Sequence, residues 1–510
     1  MSRYSEKLLK GTVLLSAGSI ISLVIAAAGS IIIARLLGPE NYGLIGISMI
    51  LPNLMLALTD LGINTALTRY SSIRDSSMKT IVVSGLTLKI ILSLLSALIV
   101  YITAPYVAKA LGRPYIEPYI KLLSIFTLAS LLYGALNSIL IGYGLYALSS
   151  ISQVILTIIR VSSTVLLVIL GYGVTGAILG HVIAWLLTTI PLLVYTLKLI
   201  GLPLTISLKS IRELLHYGIP LHLPVVISIP LGQLYYSIMV RVSSDWEIGN
   251  LSVAQNFLAP LNAIGGAIGM SLLSILPSLT SSNEMSIATS KVIRITSLIM
   301  PALACSIIIV SEPLILTLYG PNYTMSPLYT SLLVLAFLYA PLGSLVWGSY
   351  FPSIGRTDIS LRISLVGTAI GIPVYVTLTI LAGVIGYIVS GLLVGLVQSI
   401  YALSIARSLG TRVDLKSNTV MLASSILALT SALPIILIVN NLILEFIIAA
   451  TVYTIVLALT TPIIAGEDTL KEISQAIIKT KLIGPITASL LNVDIKIAMK
   501  IWGLEEKSSK

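Results

Sequence analysis

"IIIARLLGPENYGLIGISMI", residues 31–50, reads as two apolar helices joined by a turn. Both flanks are residues that lipid accepts. Between them stand Arg35 and then Gly38-Pro39-Glu40-Asn41-Tyr42-Gly43. Proline gives a helix no amide hydrogen, and glycine accepts the backbone angles that end one. Gly38 and Pro39 therefore close one helix, and Tyr42 and Gly43 open the next.

The rest of the chain has the same character. Of 510 residues, 56% are hydrophobic and 10% are charged, and the mean hydropathy is +1.04. Soluble domains carry about 25% charged residues. A protein core cannot absorb this much apolar surface, so the solvent is lipid. A net charge of +11 then reflects the Lys- and Arg-rich inner loops of a membrane protein, and no nucleic-acid partner is implied. Cys305 is the single cysteine, and His181, His216 and His222 share no metal-ligand spacing. No disulfide framework, metal or cofactor is expected.

A membrane span takes about 20 mostly apolar residues. Fourteen such stretches occur, at roughly 12–35, 42–64, 80–107, 119–141, 146–170, 174–197, 214–240, 249–276, 290–311, 327–350, 359–381, 384–406, 418–440 and 442–464. The predicted fold class is an all-α integral membrane protein. The tail, 466–510, is charged and amphipathic and is broken at Pro485; it is expected to lie on the cytoplasmic membrane face. The basic N-terminus leads into an apolar run with no small-residue cleavage site, which predicts a retained first helix. With the N-terminus in the cytoplasm, 23 of the 30 Lys and Arg residues fall inside and 5 outside, while Lys89 and Arg160 fall within spans. That bias predicts a multi-pass protein of the cell membrane with both termini cytoplasmic.

The chain also repeats. Arg35 and Gly43 recur as Arg241 and Gly249. "APYVAKALGRPY" (104–115) matches "EPLILTLYGPNY" (312–323), and "GYGVTGAILG" (171–180) matches "AGVIGYIVSG" (382–391). Spans 1–6 thus correspond to spans 7–12 in the same orientation, a parallel repeat that places a site between halves which rock against one another. The expected division is an N-terminal lobe 1–200, a C-terminal lobe 201–410, two further helices in 411–465 and the tail 466–510.

Some motifs are decoys. "GYGVTG" (171–176) joins two membrane helices and is no nucleotide loop. GxxxxGK[ST], HExxH and GxSxG are absent from the sequence, so neither an internal ATPase nor a hydrolase is predicted.

The informative residues are charges in lipid, because a Lys or Arg at mid-bilayer costs about 2.5–3.5 kcal/mol on insertion scales. Lys89 either snorkels to the interface or faces a cavity. Arg160 has a long way to snorkel, and no acid stands on the adjacent turns of "QVILTIIRVSSTV". Asp60 either pairs with a cation or lies at the interface. Arg35 and Arg241 mark equivalent outer ends of spans 1 and 7, as anchors or as a pair drawing in an anion. Gln233, Gln255 and Asn256 add neutral polar groups, with Asn262 beyond them. Cations with few intramembrane carboxylates suit an anionic substrate. Pro220, Pro224 and Pro230 crowd span 7, and Pro52 and Pro260 occupy similar places in spans 2 and 8. With Gly38, Gly43 and Gly249 they are candidate hinges or gates, or else fixed kinks.

"ARLLGPENYG" (34–43), "DLGINTALTRY" (60–70), "GYGVTGAILG" (171–180) and "YGIPLHL" (217–223) make the chain resemble the polysaccharide and oligosaccharide flippases of the multidrug/oligosaccharidyl-lipid/polysaccharide (MOP) exporter superfamily. The similarity runs over roughly residues 5–410. It implies two six-helix lobes around a cavity lined by spans 1, 2, 7 and 8. It implies as cargo a lipid-linked sugar on a polyprenyl phosphate or diphosphate carrier. The headgroup would move from inner to outer leaflet by alternating access through a cationic cavity, while the tail stays among membrane lipids. A monomer is expected. Relatives that flip lipid II carry cavity arginines on spans 1, 2 and 8. Here Arg35 is near the first of these positions, span 8 has no arginine and span 2 has none before Arg69, which leaves the headgroup open. A cation-coupled drug or metabolite antiporter of the same fold is the alternative, and it would need more intramembrane carboxylates. A membrane glycosyltransferase would need a larger catalytic loop than any loop here.

Overall fold

In the computed structural model, residues 3–465 are described apart from 74–75, 202–204, 280 and 440. The tail helices expected in 466–510 lie outside the described residues. The helices are α1 (Arg3–Ser48), α2 (Ile50–Asp60), α3 (Ile63–Ser72), α4 (Ser76–Ala110), α5 (Glu117–Gly142), α6 (Tyr146–Leu167), α7 (Gly173–Ile200), α8 (Leu208–Val242), α9 (Asp245–Ile275), α10 (Ser282–Leu318), α11 (Ser326–Val334), α12 (Trp347–Ser353), α13 (Thr357–Ser408), α14 (Leu415–Ile438) and α15 (Leu442–Ala465). No strand occurs among the described residues.

Ten helical stretches are long and apolar enough to cross a membrane, and α11 with α12, bent by 43°, makes an eleventh. Three of the ten run 48, 55 and 52 residues. At 1.5 Å per residue, 52 residues cover about 78 Å, far more than a hydrocarbon core of about 30 Å. Each of the three is broken near its middle: at Gly38 (φ 72°, ψ 169°), at Gly171 and Gly173, and at Ala382 and Gly383. Dividing them gives the fourteen spans that the apolar runs predict, and the protein is a multi-pass membrane protein. Two details differ from the sequence reading. Pro39 resumes the helix directly after Gly38 and does not help to end it, because a first helical position needs no N–H. Span 10 is interrupted by a 3₁₀ segment, Leu335–Leu342, around Pro341 and the left-handed Gly343 (φ 78°).

The chain forms two compact units: Met1–Ser252 with Thr379–Tyr387, and Val253–Leu378 with the chain from Ile388 onward. In the first unit Leu67, Leu86, Leu136, Ile139 and Leu214 bring α3, α4, α5 and α8 into one core. The polypeptide backbones approach closely at glycines. A Cβ on Gly249 would overlap the Pro39 carbonyl, and one on Gly43 would overlap the Asp245 carbonyl and the Gly249 amide. Gly62 and Gly218 exclude each other's Cβ in the same reciprocal way. In the second unit Ile293, Trp347, Phe351, Ile359 and Leu403 form one cluster. A second cluster, of Cys305, Ala428, Ala432, Ala449 and Tyr453, holds α14 and α15 against α10, and the Tyr453 hydroxyl donates to the Ala302 carbonyl at 2.6 Å.

Candidate functional site

Arg160 lines a cavity of about 490 Å³ inside the first unit, formed by α1, α5, α6 and α7. On α6, Gln153, Leu156, Thr157 and Arg160 follow one another at helical spacing and so share a face. α1 supplies Ser19, Ser22, Leu23 and Ala26 with the same spacing. Glycines set the distance between these two helices, since Gly18 packs on Ser150 and Gly29 on Val161. The Ser150 hydroxyl donates to the Leu14 carbonyl at 2.8 Å.

The polar groups of the cavity, Arg160 apart, are neutral. Asn137 accepts at Oδ1 from Ser149 Oγ at 2.6 Å, so its two N–H groups are what it offers the cavity. Trp185 is held edge-on by Phe126 and Tyr133, at centroid distances of 5.5 and 5.3 Å; an indole only donates. Tyr133 and Ser152 share a hydrogen bond of 3.1 Å. The Ser22 hydroxyl is buried without a partner. Among the described residues no carboxylate pairs with Arg160 and none lines the cavity. A guanidinium does not shed its proton in a protein, so this site presents an uncompensated positive charge beside neutral polar groups.

The other expected residues stand elsewhere. Lys89 is fully buried and its Nζ meets Asp60 Oδ1 at 2.5 Å. The second Asp60 oxygen lies 3.8 Å from His222 Nδ1, while His222 Nε2 bonds the Ala57 carbonyl at 2.8 Å. Lys89 is therefore neutralised within the protein. Arg241 is exposed, and its Nη1 donates to the Ala110 carbonyl at 3.1 Å, capping the end of α4. It borders a mainly apolar cavity with Leu51, Val107 and Ile238, separate from that of Arg160. Arg35 is exposed on α1, three residues before the Gly38 kink. Gln233 is half-buried, and its carbonyl accepts from Ser237 at 2.7 Å. Gln255 is exposed and Asn256 half-buried on the part of α9 that belongs to the second unit. Of the hinge candidates, Gly38 makes the kink in α1, and Gly43 and Gly249 form the crossing described above. Pro52 is buried in α2, Pro260 lies inside α9, and α8 continues as helix through Pro220, Pro224 and Pro230.

Sequence reasoning missed Asn137, Gln153, Trp185 and Ser22. The spacing Gln153–Thr157–Arg160 was the available signal. It also missed a tight cluster where the loop after α4 meets the start of α9. Arg113 Nε meets Asp245 Oδ1 at 2.5 Å, its Nη2 donates to the Ser243 carbonyl at 2.6 Å, and Tyr115 donates to Asp245 Oδ2 at 2.5 Å. These partners are some 130 residues apart in the chain, and nothing local announces them.

Long apolar helices, with a cavity in the first unit that carries Arg160, make this a multi-pass membrane protein. The chain belongs to the family described as "Polysaccharide biosynthesis protein", whose family model matches residues 32–327. Among solved structures it is similar to "Lipid II flippase MurJ, inward closed conformation", with TM-score 0.74 and 16% identity over 88% of this chain and 98% of that one. It is also similar to an inward-facing multidrug resistance MATE family transporter of the MOP superfamily, with TM-score 0.63 and 16% identity over 80% and 99%. A MOP superfamily transporter from Pyrococcus furiosus, described as having a binding pocket of reverse polarity, matches with TM-score 0.54 and 18% identity over 80% and 96%. No curated protein sequence matches the chain. The fold is that of the MOP transporters.

Proposed function

We propose that the protein is a flippase moving lipid-linked oligosaccharide or polysaccharide precursors, on a polyprenyl phosphate or diphosphate carrier, from the inner to the outer leaflet. It works as a transporter and not as an enzyme, by alternating access between two six-helix halves, in the cell membrane, with both termini cytoplasmic, as a monomer and without a cofactor. The observation that carries this reading is Arg160: a guanidinium with no carboxylate partner among neutral polar groups, within a membrane bundle of a polysaccharide biosynthesis family. In lipid such a charge is costly unless an anion answers it, and a guanidinium offers phosphate a two-pronged fork. Asn137, Gln153 and Trp185 add the neutral hydrogen bonds that a phosphate or its first sugar requires. The fold relation to a lipid II flippase is consistent with this. The cation-coupled antiporter reading is disfavoured because Asp60, the acid it would use in the first unit, is occupied by Lys89.

The test is reconstitution in liposomes carrying a fluorescent polyprenyl-diphosphate-linked oligosaccharide. Protein-dependent arrival of the label in the opposite leaflet, lost in Arg160→Ala, is the expected result. No transfer of that lipid, together with uptake of a soluble cation or drug, would overturn the assignment.

A further inference from the structure

The second unit holds a cavity of different chemistry. It measures about 530 Å³ and lies between α9, the 3₁₀ segment 335–342, α12 and both halves of α13. That is within the range of about 300–1,000 Å³ typical of small-molecule sites. No charged side chain lines it. Its polar residues are Asn262, Gln398, Tyr339, Ser344, Ser360, Ser364 and Ser399. The hydroxyl oxygens of Ser344 and Ser360 lie behind the cavity surface, buried with no hydrogen-bond partner. Unpartnered buried hydroxyls are costly and call for an explanation.

Trp347 is 3% exposed and donates its indole N–H to the Leu342 carbonyl at 2.7 Å, so it closes one wall of the cavity and adds no polar group. Gly348 and Gly395 also line the cavity, and a Cβ added to either would meet nothing within 4 Å. Neither has a positive φ. Glycine inside a helix is less favourable than alanine, so at these positions its physical effect is to leave space open.

We infer that this cavity binds an uncharged saccharide, the glycan portion of the cargo. A charged ligand would find no opposite charge there, and an acyl tail would leave the amides and hydroxyls unpaired. An uncharged sugar offers the accessible amides and hydroxyls a donor or acceptor. This inference rests on the flippase reading for its choice of cargo, but not for the existence of the sugar site.

The experiment uses the full chain and two variants, Gly395→Leu, which fills the open space, and the pair Ser344→Ala with Ser360→Ala. Both are expected to melt no lower than wild type. In liposomes, transfer of a polyprenyl-diphosphate-linked neutral oligosaccharide is expected to fall by about tenfold or more in Gly395→Leu, while transfer of the sugar-free polyprenyl phosphate is retained. Equal loss for both lipids, or no loss for either, overturns the inference. Separately, saturation-transfer NMR reads binding of free maltotriose, chitotriose and mannotriose to the protein in detergent. A signal from at least one, lost in Gly395→Leu and weakened in the serine pair, supports the site even if wild type flips no lipid, in which case the flippase reading alone fails. No signal from any of the three overturns the site and leaves the flippase reading to its own assay.

Discussion

Arg160 and Lys89 are both basic residues within lipid-spanning helices, yet they differ in what answers their charge. Lys89 has Asp60 at 2.5 Å, and Arg160 has only neutral polar groups lining its cavity. Their substitutions therefore have different consequences. Lys89→Met strands the Asp60 carboxylate in a buried place. It is expected to cost about 3–5 kcal/mol of stability, read as a lowered melting temperature in detergent. Changing Asp60→Asn as well restores most of that loss, because the penalty comes from the uncompensated charge. Arg160→Gln removes a charge that has no partner. It is expected to leave the melting temperature unchanged or higher while lowering transfer of the anionic lipid by about tenfold or more, in the range of a lost charge-assisted bond. A fall in both stability and transport would place Arg160 among the structural residues.

At the scale of elements, the quoted motifs become helix crossings. "DLGINTALTRY" and "YGIPLHL" pack on each other: Gly62 meets Gly218, Asp60 faces His222, and the Arg69 guanidinium lies 4.3 Å from the centre of the Tyr217 ring. The left-handed pair Leu61 and Gly62, with φ of 50° and 73°, ends α2 and lets α3 turn along α8. The other motif, "ARLLGPENYG", meets its own repeat, since Gly43 contacts Gly249. Gly249→Val would drive a side chain into the Pro39 carbonyl and is expected to abolish accumulation of folded protein, read by size-exclusion profile. Gly38→Ala is milder. The angles φ 72° and ψ 169° belong to glycine, and a side chain there costs about 1–3 kcal/mol. A melting shift of that size with transport retained is the expected outcome; an unchanged melting temperature would mean that the kink relaxes freely.

At the scale of the whole molecule the question is what drives transfer. The sequence carries no Walker A motif, and the proposed function draws on the membrane potential or an ion gradient. With the cytoplasm negative, moving an anion outward is favoured by about 2.3 kcal/mol per charge per 100 mV. Under the proposed function, an inside-negative potential imposed on liposomes is expected to speed outward transfer of the diphosphate-linked lipid, and reversing the potential to slow it. Transfer indifferent to potential but dependent on a sodium or proton gradient would instead show ion coupling.

What the sequence determined by itself was the approximate number and placement of the spans, and the presence of Arg160 and Lys89 within them. Those follow from local properties, since a run of apolar residues is sufficient to span and a charge inside it is costly wherever the helix packs. Tertiary structure decided which charge was compensated. Lys89 and Asp60 lie 29 residues apart, on different helices, and only packing brings them together. It also decided that Asn137, Gln153 and Trp185 converge beside Arg160, and that serines, amides and an aromatic ring enclose a neutral cavity in the second unit. A serine or an asparagine in an apolar helix reads the same whether it bonds its own backbone or faces a cavity. The difference lies in which neighbouring helix comes close and which glycine lets it, and that is settled by the fold.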